Sequence, residues 1–223
     1  MKRFIKRIYG IMGILILAAV GFGLFTRKSF KAENLNLDSK ENAEVILSDT
    51  LDGYFDNDIS TYEELADQSD LIVTGSITGK QGVYSQALKT KFHIDQIMKG
   101  DSGEKTPENI YVYEPSTFSF DTYDVLSGYN VMKENTDYIL FLKHLKIPDG
   151  YKYKNDEAIT FLPVSTCYSK YTLNDRRTEE SVSGSEKLTY EQVKDMGIIT
   201  DDQEITDTYN ALKKEVMDSL GEW

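Results

Sequence analysis

Ala87-Leu88-Lys89-Thr90-Lys91-Phe92-His93-Ile94-Asp95-Gln96-Ile97-Met98 places Leu88, Thr90, Phe92, Ile94, Gln96 and Met98 on one face, and Lys89, Lys91, His93 and Asp95 on the other. Period-two alternation predicts a half-buried strand, and Lys99-Gly100-Asp101 ends it with turn chemistry. Working toward the N-terminus, Leu71-Ile72-Val73-Thr74-Gly75-Ser76-Ile77 is a β-branched run. Gly75 inside it predicts a bulge or sharp bend. Ser60-Thr61-Tyr62-Glu63 has capping-box spacing and predicts a short helix to about Gln68.

Toward the C-terminus, Ile110-Tyr111-Val112-Tyr113-Glu114 reads as a third strand, stopped by Pro115. Tyr138-Ile139-Leu140-Phe141-Leu142 is apolar on both faces, which predicts a central strand covered on both sides. Residues 160–164 and 167–173 read as two more strands that close the sheet as a hairpin, with Pro163 calling for an edge position. Residues 174–187 are polar and predict a mobile loop. Thr189 with Gln192, and Thr200 with Gln203, repeat the capping-box spacing, and Gly197 fits a helix stop. Ile205, Tyr209, Leu212, Val216 and Leu220 form one helical stripe, expected to pack on the strands.

Charge divides the 223-residue chain. Residues 1–31 hold seven basic side chains and no acid, which leaves 18 basic against 37 acidic groups over residues 32–223, a net of −19. Phosphate neutralisation needs a basic surface, so nucleic-acid binding is excluded. Ile8 to Thr26 carries no charge over 19 residues. At ~1.5 Å per residue a helix of that length spans roughly 28 Å, close to a hydrocarbon core. The heavier basic cluster, Lys2-Arg3 with Lys6-Arg7, precedes it and predicts a cytoplasmic N-terminus with the remainder exported. An uncleaved signal anchor in the cell membrane is expected. The competing reading is secretion after signal cleavage, for which Gly21-Phe22-Gly23 is a passable site. Composition rich in Lys, Asn, Ile and Tyr with a single cysteine matches an envelope protein of a Gram-positive bacterium. The expected organisation is a cytoplasmic basic tip and transmembrane anchor over 1–28 and a tether over 29–58. A β-barrel domain follows over 59–174, then a loop and C-terminal helices packed on it over 175–223.

A short helix, then Asp70-Leu71-Ile72-Val73-Thr74-Gly75-Ser76-Ile77, a long second strand ending at Lys99-Gly100, a third strand and Tyr138-Ile139-Leu140-Phe141-Leu142 follow in that order. Over residues 61–145 this resembles the OB-like barrel of the netrin-module and tissue-inhibitor-of-metalloproteinases superfamily, a pattern shared by uncharacterised bacterial exported proteins. The resemblance implies an OB-like small β-barrel; with the predicted N-terminal transmembrane helix and helical C-terminal extension, the expected fold class is mainly β with added helices. It implies no inhibitory activity, because the family's inhibitors chelate zinc through an N-terminal cysteine. The one cysteine here, Cys167, is late and lies in a predicted strand.

Candidate chemistry is sparse. Cys167 with His144 could form a nucleophile–base pair, but a lone strand cysteine reads as a small buried hydrophobe. His93 and Asp95 share a face with Lys89 and Lys91, whose charges would repel a metal ion. Asp56, Asp58 and Ser60 have the oxygen spacing of a calcium loop, yet Thr61 stands where glycine is needed and Asp67 where glutamate is preferred. No P-loop, dinucleotide fingerprint, zinc-protease or nucleophile-elbow motif occurs. No cofactor and no metal are expected, and the chain reads as a non-enzyme. The aromatic content is the remaining signal. Tyr111 and Tyr113 share a strand face, and with Tyr123 and Tyr129 they form a candidate surface for a protein, peptide or glycan partner. The expected function is a membrane-anchored, extracytoplasmic binding or scaffolding protein of the cell envelope. The alternative is an inhibitor or immunity-type protein that blocks an envelope enzyme or toxin.

Overall fold

The computed structural model describes residues 12–13, 16, 19–21, 35–49, 53–84, 86–100, 107–184 and 187–220. The chain forms two units, Met1–Glu33 and Asn34–Trp223. Most of the expected membrane span over 8–26 lies outside the described residues. Within it, Met12, Gly13, Ile16 and Ala19 to Gly21 are helical and exposed. Among the described residues no helix is long and apolar enough to cross a membrane.

The second unit is mainly β and ends in a long helix. Its strands are β1 (Glu44–Ser48), β2 (Leu71–Tyr84), β3 (Ala87–Lys99), β4 (Asn109–Glu114), β5 (Thr117–Ser119), β6 (Thr122–Leu126), β7 (Asp137–His144), β8 (Thr160–Pro163) and β9 (Lys170–Thr172). The helices are α1 (Tyr62–Asp67), α2 (Tyr190–Val193) and α3 (Gln203–Ser219). Strands β2-β3-β4-β8-β7 follow one another in a sheet that returns on itself, because β7 also pairs with β2. All neighbours in this ring are antiparallel except β4 and β8, which are parallel. The bend occurs where the sequence places Gly75. The β2–β3 register shifts between Thr74 and Gly75, and a β-carbon on Gly75 would stand 1.9 Å from the His93 carbonyl oxygen.

β7 is buried from Tyr138 to Leu142. Tyr138, Leu140 and Leu142 face the ring interior with Val73, Phe92 and Val112. Ile139 and Phe141 face outward into a second core with Tyr171, Tyr209, Leu212 and Val216. The stripe on α3 therefore covers the outer face of β7. Burying each aliphatic side chain there contributes roughly 1.5–3 kcal/mol. A third core joins Leu88, Phe118, Tyr123, Val125, Tyr190 and Ile199.

Several expectations are corrected. β8 and β9 do not form a hairpin with each other. They run one after the other along the same edge of β7: β9 pairs with Tyr138–Leu140 and β8 with Leu142–His144. Nor is Pro163 on an edge strand. β8 lies between β4 and β7, but its β4 pairing ends at Phe161, so the proline's missing N–H falls past that ladder. Cys167 sits in the turn between the two strands. Residues 35–48, read as tether, are structured: β1 pairs in parallel with β6, and Ala43 is buried. The strand, Glu44-Val45-Ile46-Leu47-Ser48, lies between polar flanks, and its side chains are largely exposed while its backbone makes the contact.

The helix starts also shift. Thr61 caps α1 by accepting the Glu64 N–H, while Glu64 accepts the Ser60 N–H, one residue later than the sequence spacing indicates. Asp202, not Thr200, caps α3, accepting the Glu204 and Ile205 N–H groups. The segment after β9 is pinned: Asn210 exchanges hydrogen bonds with the Glu179 backbone, and Lys213 donates to the Arg177 carbonyl.

Candidate functional site

β3 and β4 pair with Lys89 opposite Tyr113 and Lys91 opposite Tyr111. Because alternate residues face opposite sides, Ile110, Val112 and Glu114 point into the protein while Tyr111 and Tyr113 are half-buried on the outer face. Tyr84, at the end of β2 and 58% exposed, leans on Tyr113 with ring centroids 5.4 Å apart. The Lys89 ammonium sits 4.5 Å above the centre of the Tyr111 ring and 5.6 Å from that of Tyr113. It also donates to Asp156 at 2.6 Å. Asp156 comes from the β7–β8 connection and precedes a short 3-10 turn, Glu157–Ile159.

The result is an outward platform of three tyrosine rings, two of them held around one lysine. Partial burial, then the neighbouring Tyr84 and Asp156, push the Tyr113 phenol up to about 12. It is therefore a neutral hydrogen-bonding group across the ordinary pH range. Flat rings with polar edges and an oriented ammonium suit stacking and cation–π contacts with a ligand.

Tyr123 and Tyr129 do not belong to this surface; they are 0% and 2% exposed. Tyr123 stacks on Phe118 at 4.4 Å, and its hydroxyl donates to Asn130 and accepts the Val131 N–H. Tyr129 donates to Glu114. These two members of the candidate surface are interior because the small sheet β1-β6-β5 and α2 enclose them.

Beneath the platform lies a buried polar network that the sequence did not announce. One oxygen of Glu114 accepts from Thr90 and Gln81, the other from Met132 N–H and Tyr129. Burial nevertheless pushes the Glu114 carboxyl up. Lys170, on β9, is 6% exposed and stands over the Tyr129 and Tyr138 rings at 5.4 and 5.3 Å. Burial brings its ammonium down to about 8. The apolar periodicity of β4 and β9 gave no sign of these two charges; only their placement at inward positions could have.

The other candidates take structural roles. Cys167 is buried, lies against Thr166 and the Ser127 carbonyl, and its thiol is pushed up to about 11 by burial. Its thiolate would be scarce near neutrality. His93 pairs loosely with Asp95 at 3.7 Å on the surface. In the loop read against a calcium site, Asn57 accepts from Ser165, Thr166 N–H and the Thr166 hydroxyl. That side chain clamps the 53–60 segment to the β8–β9 turn. Among the described residues no three His, Cys, Asp or Glu side chains converge on a metal position.

Compared with known protein families and with curated proteins, the chain matches none.

Proposed function

We propose that this chain is a membrane-anchored, extracytoplasmic, non-catalytic binding protein of the bacterial envelope. Its contact surface is the outer face of β3 and β4. The observation that carries this reading is the platform of Tyr111 and Tyr113 held around Lys89, with Tyr84 leaning on Tyr113. A surface lysine fixed by two rings and a carboxylate has lost its freedom before any ligand arrives, which lowers the cost of binding. The ring of strands supports an OB-like barrel. In that fold the second and third strands and the adjoining loops carry ligands. The corresponding elements here are β3, β4 and the connection that supplies Asp156. The uncharged run 8–26 behind its basic cluster supports the anchor and the outward orientation.

A peptide or glycan chain fits this surface: sugar rings and planar side chains stack on tyrosine, and Lys89 and Asp156 offer polar partners at the edge. The net charge of −19 beyond residue 31 favours cationic partners, whose association should slow as salt rises. The test uses the full chain in detergent, with envelope peptide and glycan fractions as probes. Wild type should retain one fraction, and Tyr84→Ala/Tyr113→Ala should retain it at least tenfold less. Tyr54→Ala, at an exposed tyrosine elsewhere, should bind as wild type. Equal retention by the double variant would overturn the assignment.

A further inference from the structure

A crevice of about 150 Å³ opens beside β9, separate from the tyrosine platform. Lys133, Lys170, Arg177 and Lys194 line it, against only two carboxylates, Asp175 and Asp195. This is a cationic spot in a chain whose net charge is −12. Three of the cations are already held: Arg177 by Asp175, Lys133 by Asp195, and Lys194 by Glu191. Lys170 is not. Its side chain is more than nine-tenths buried in the crevice wall, with its ammonium over the faces of Tyr129 and Tyr138. Among the described residues no oxygen lies within hydrogen-bond reach of its ammonium. Two buried acids, Glu114 and Glu179, act on it through space; Glu114 already accepts four hydrogen bonds and Glu179 faces Lys213.

A buried ammonium without a hydrogen-bonding anion is costly, and the usual resolutions are loss of the proton or a bound counter-ion. The crevice in front of Lys170 leaves room for the second. With Lys133, Arg177 and Lys194 each paired to a carboxylate, the uncompensated charge among the four lining cations is that of Lys170. Its volume equals roughly five waters at ~30 Å³ each. That is room for a compact dianion and too little for a nucleotide.

We propose that this crevice binds a phosphate group, free or as a small phosphomonoester, with Lys170 as the buried anchor and Lys194 on the rim. The proposal is independent of the ligand of the tyrosine platform.

The test is calorimetric titration of the full chain in detergent with inorganic phosphate, and separately with glycerol phosphate, at constant ionic strength. One saturable site is expected. Lys170→Met should weaken it at least tenfold, and Lys194→Gln about threefold. Lys91→Gln, on the opposite, platform-bearing face, should leave it unchanged. Competition by glycerol phosphate would identify a phosphomonoester site; binding of inorganic phosphate alone would identify a free-ion site. If Lys170→Met fails to fold, Lys194→Gln decides. The proposal falls if phosphate shows no saturable binding, if Lys194→Gln binds as wild type, or if chloride at equal ionic strength stabilises the protein against heat as much as phosphate.

Discussion

Gly197 lies directly against Tyr209: a β-carbon on the glycine would stand 2.3 Å from the phenolic oxygen and 3.0 Å from Cζ. Tyr209 is fully buried in the core between α3 and β7, stacked on Tyr171 at 5.0 Å. The ring has nowhere to retreat, so overpacking should cost Gly197→Ala about 2 kcal/mol. Asparagine, which a helix stop tolerates, should be at least as damaging here. Urea unfolding of the two variants checks this; an unshifted midpoint would show that the Tyr209 ring yields to the added carbon.

Lys170 ties stability to pH. Its folded-state value of about 8 lies below the ordinary lysine value of 10.5, owing first to burial; Glu114 and Glu179 oppose the shift, and Lys133 and Lys213 add to it. Between those two values the unfolded chain holds the proton and the folded chain does not, so stability rises with pH over that window. The gain is on the order of 3 kcal/mol at ~1.4 kcal/mol per pH unit. Lys170→Met should lose this rise, leaving only the titration common to both proteins. Chemical denaturation at pH 7.5 and pH 10 supplies the comparison.

Asn57 joins two distant segments through hydrogen bonds to Ser165 and Thr166. Asn57→Ala leaves the Ser165 hydroxyl and the Thr166 N–H without that acceptor, in a region that is largely buried. The expected loss is about 1–3 kcal/mol. Calcium should not change the melting temperature of either protein, whereas a calcium-dependent rise lost in Asn57→Ala would restore the metal reading of this loop.

Phe120 holds φ at +51° at the tip of the β5–β6 hairpin, with its ring 90% exposed. A bulky residue there is strained and its side chain buries nothing in return. Phe120→Asn should therefore stabilise the protein by about 1 kcal/mol. The Lys40 ammonium accompanies the turn by donating to the Phe120 carbonyl, a contact the substitution leaves in place. Thermal melting reads the change directly.

The strands of the ring were legible where side chains alternate or run apolar on both faces. Ala87–Ile94, Ile110–Glu114 and Tyr138–Leu142 carry that signal, as does the stripe on α3. What remained hidden depends on partners distant in sequence. β1 has mostly exposed side chains and is a strand because β6 accepts its backbone. The succession of β8 and β9 along one edge of β7 is a matter of pairing, which periodicity cannot supply. Half of the tyrosine surface was legible for the same reason. Tyr111 and Tyr113 follow from strand alternation, while the burial of Tyr123 and Tyr129 follows from a sheet and a helix closing over them. Tyr84 and Asp156 join the platform only through the β2–β3 hairpin and the β7–β8 connection.

The closure of the ring by β2 and β7 has a kinetic consequence. Leu71 pairs with Leu142 and Ser76 with Asp137, so partners are roughly sixty to seventy residues apart, a non-local arrangement of the kind that folds in milliseconds to seconds. Until β7 arrives, β2 has one edge covered by β3 and the other open, with Leu71, Ile72 and Val73 along it. A chain emerging N-terminus first must wait through residues 77–136 with that edge unpaired. Self-association through open strand edges is the hazard of such an interval. Fragments ending before Asp137 should aggregate instead of forming a smaller stable domain.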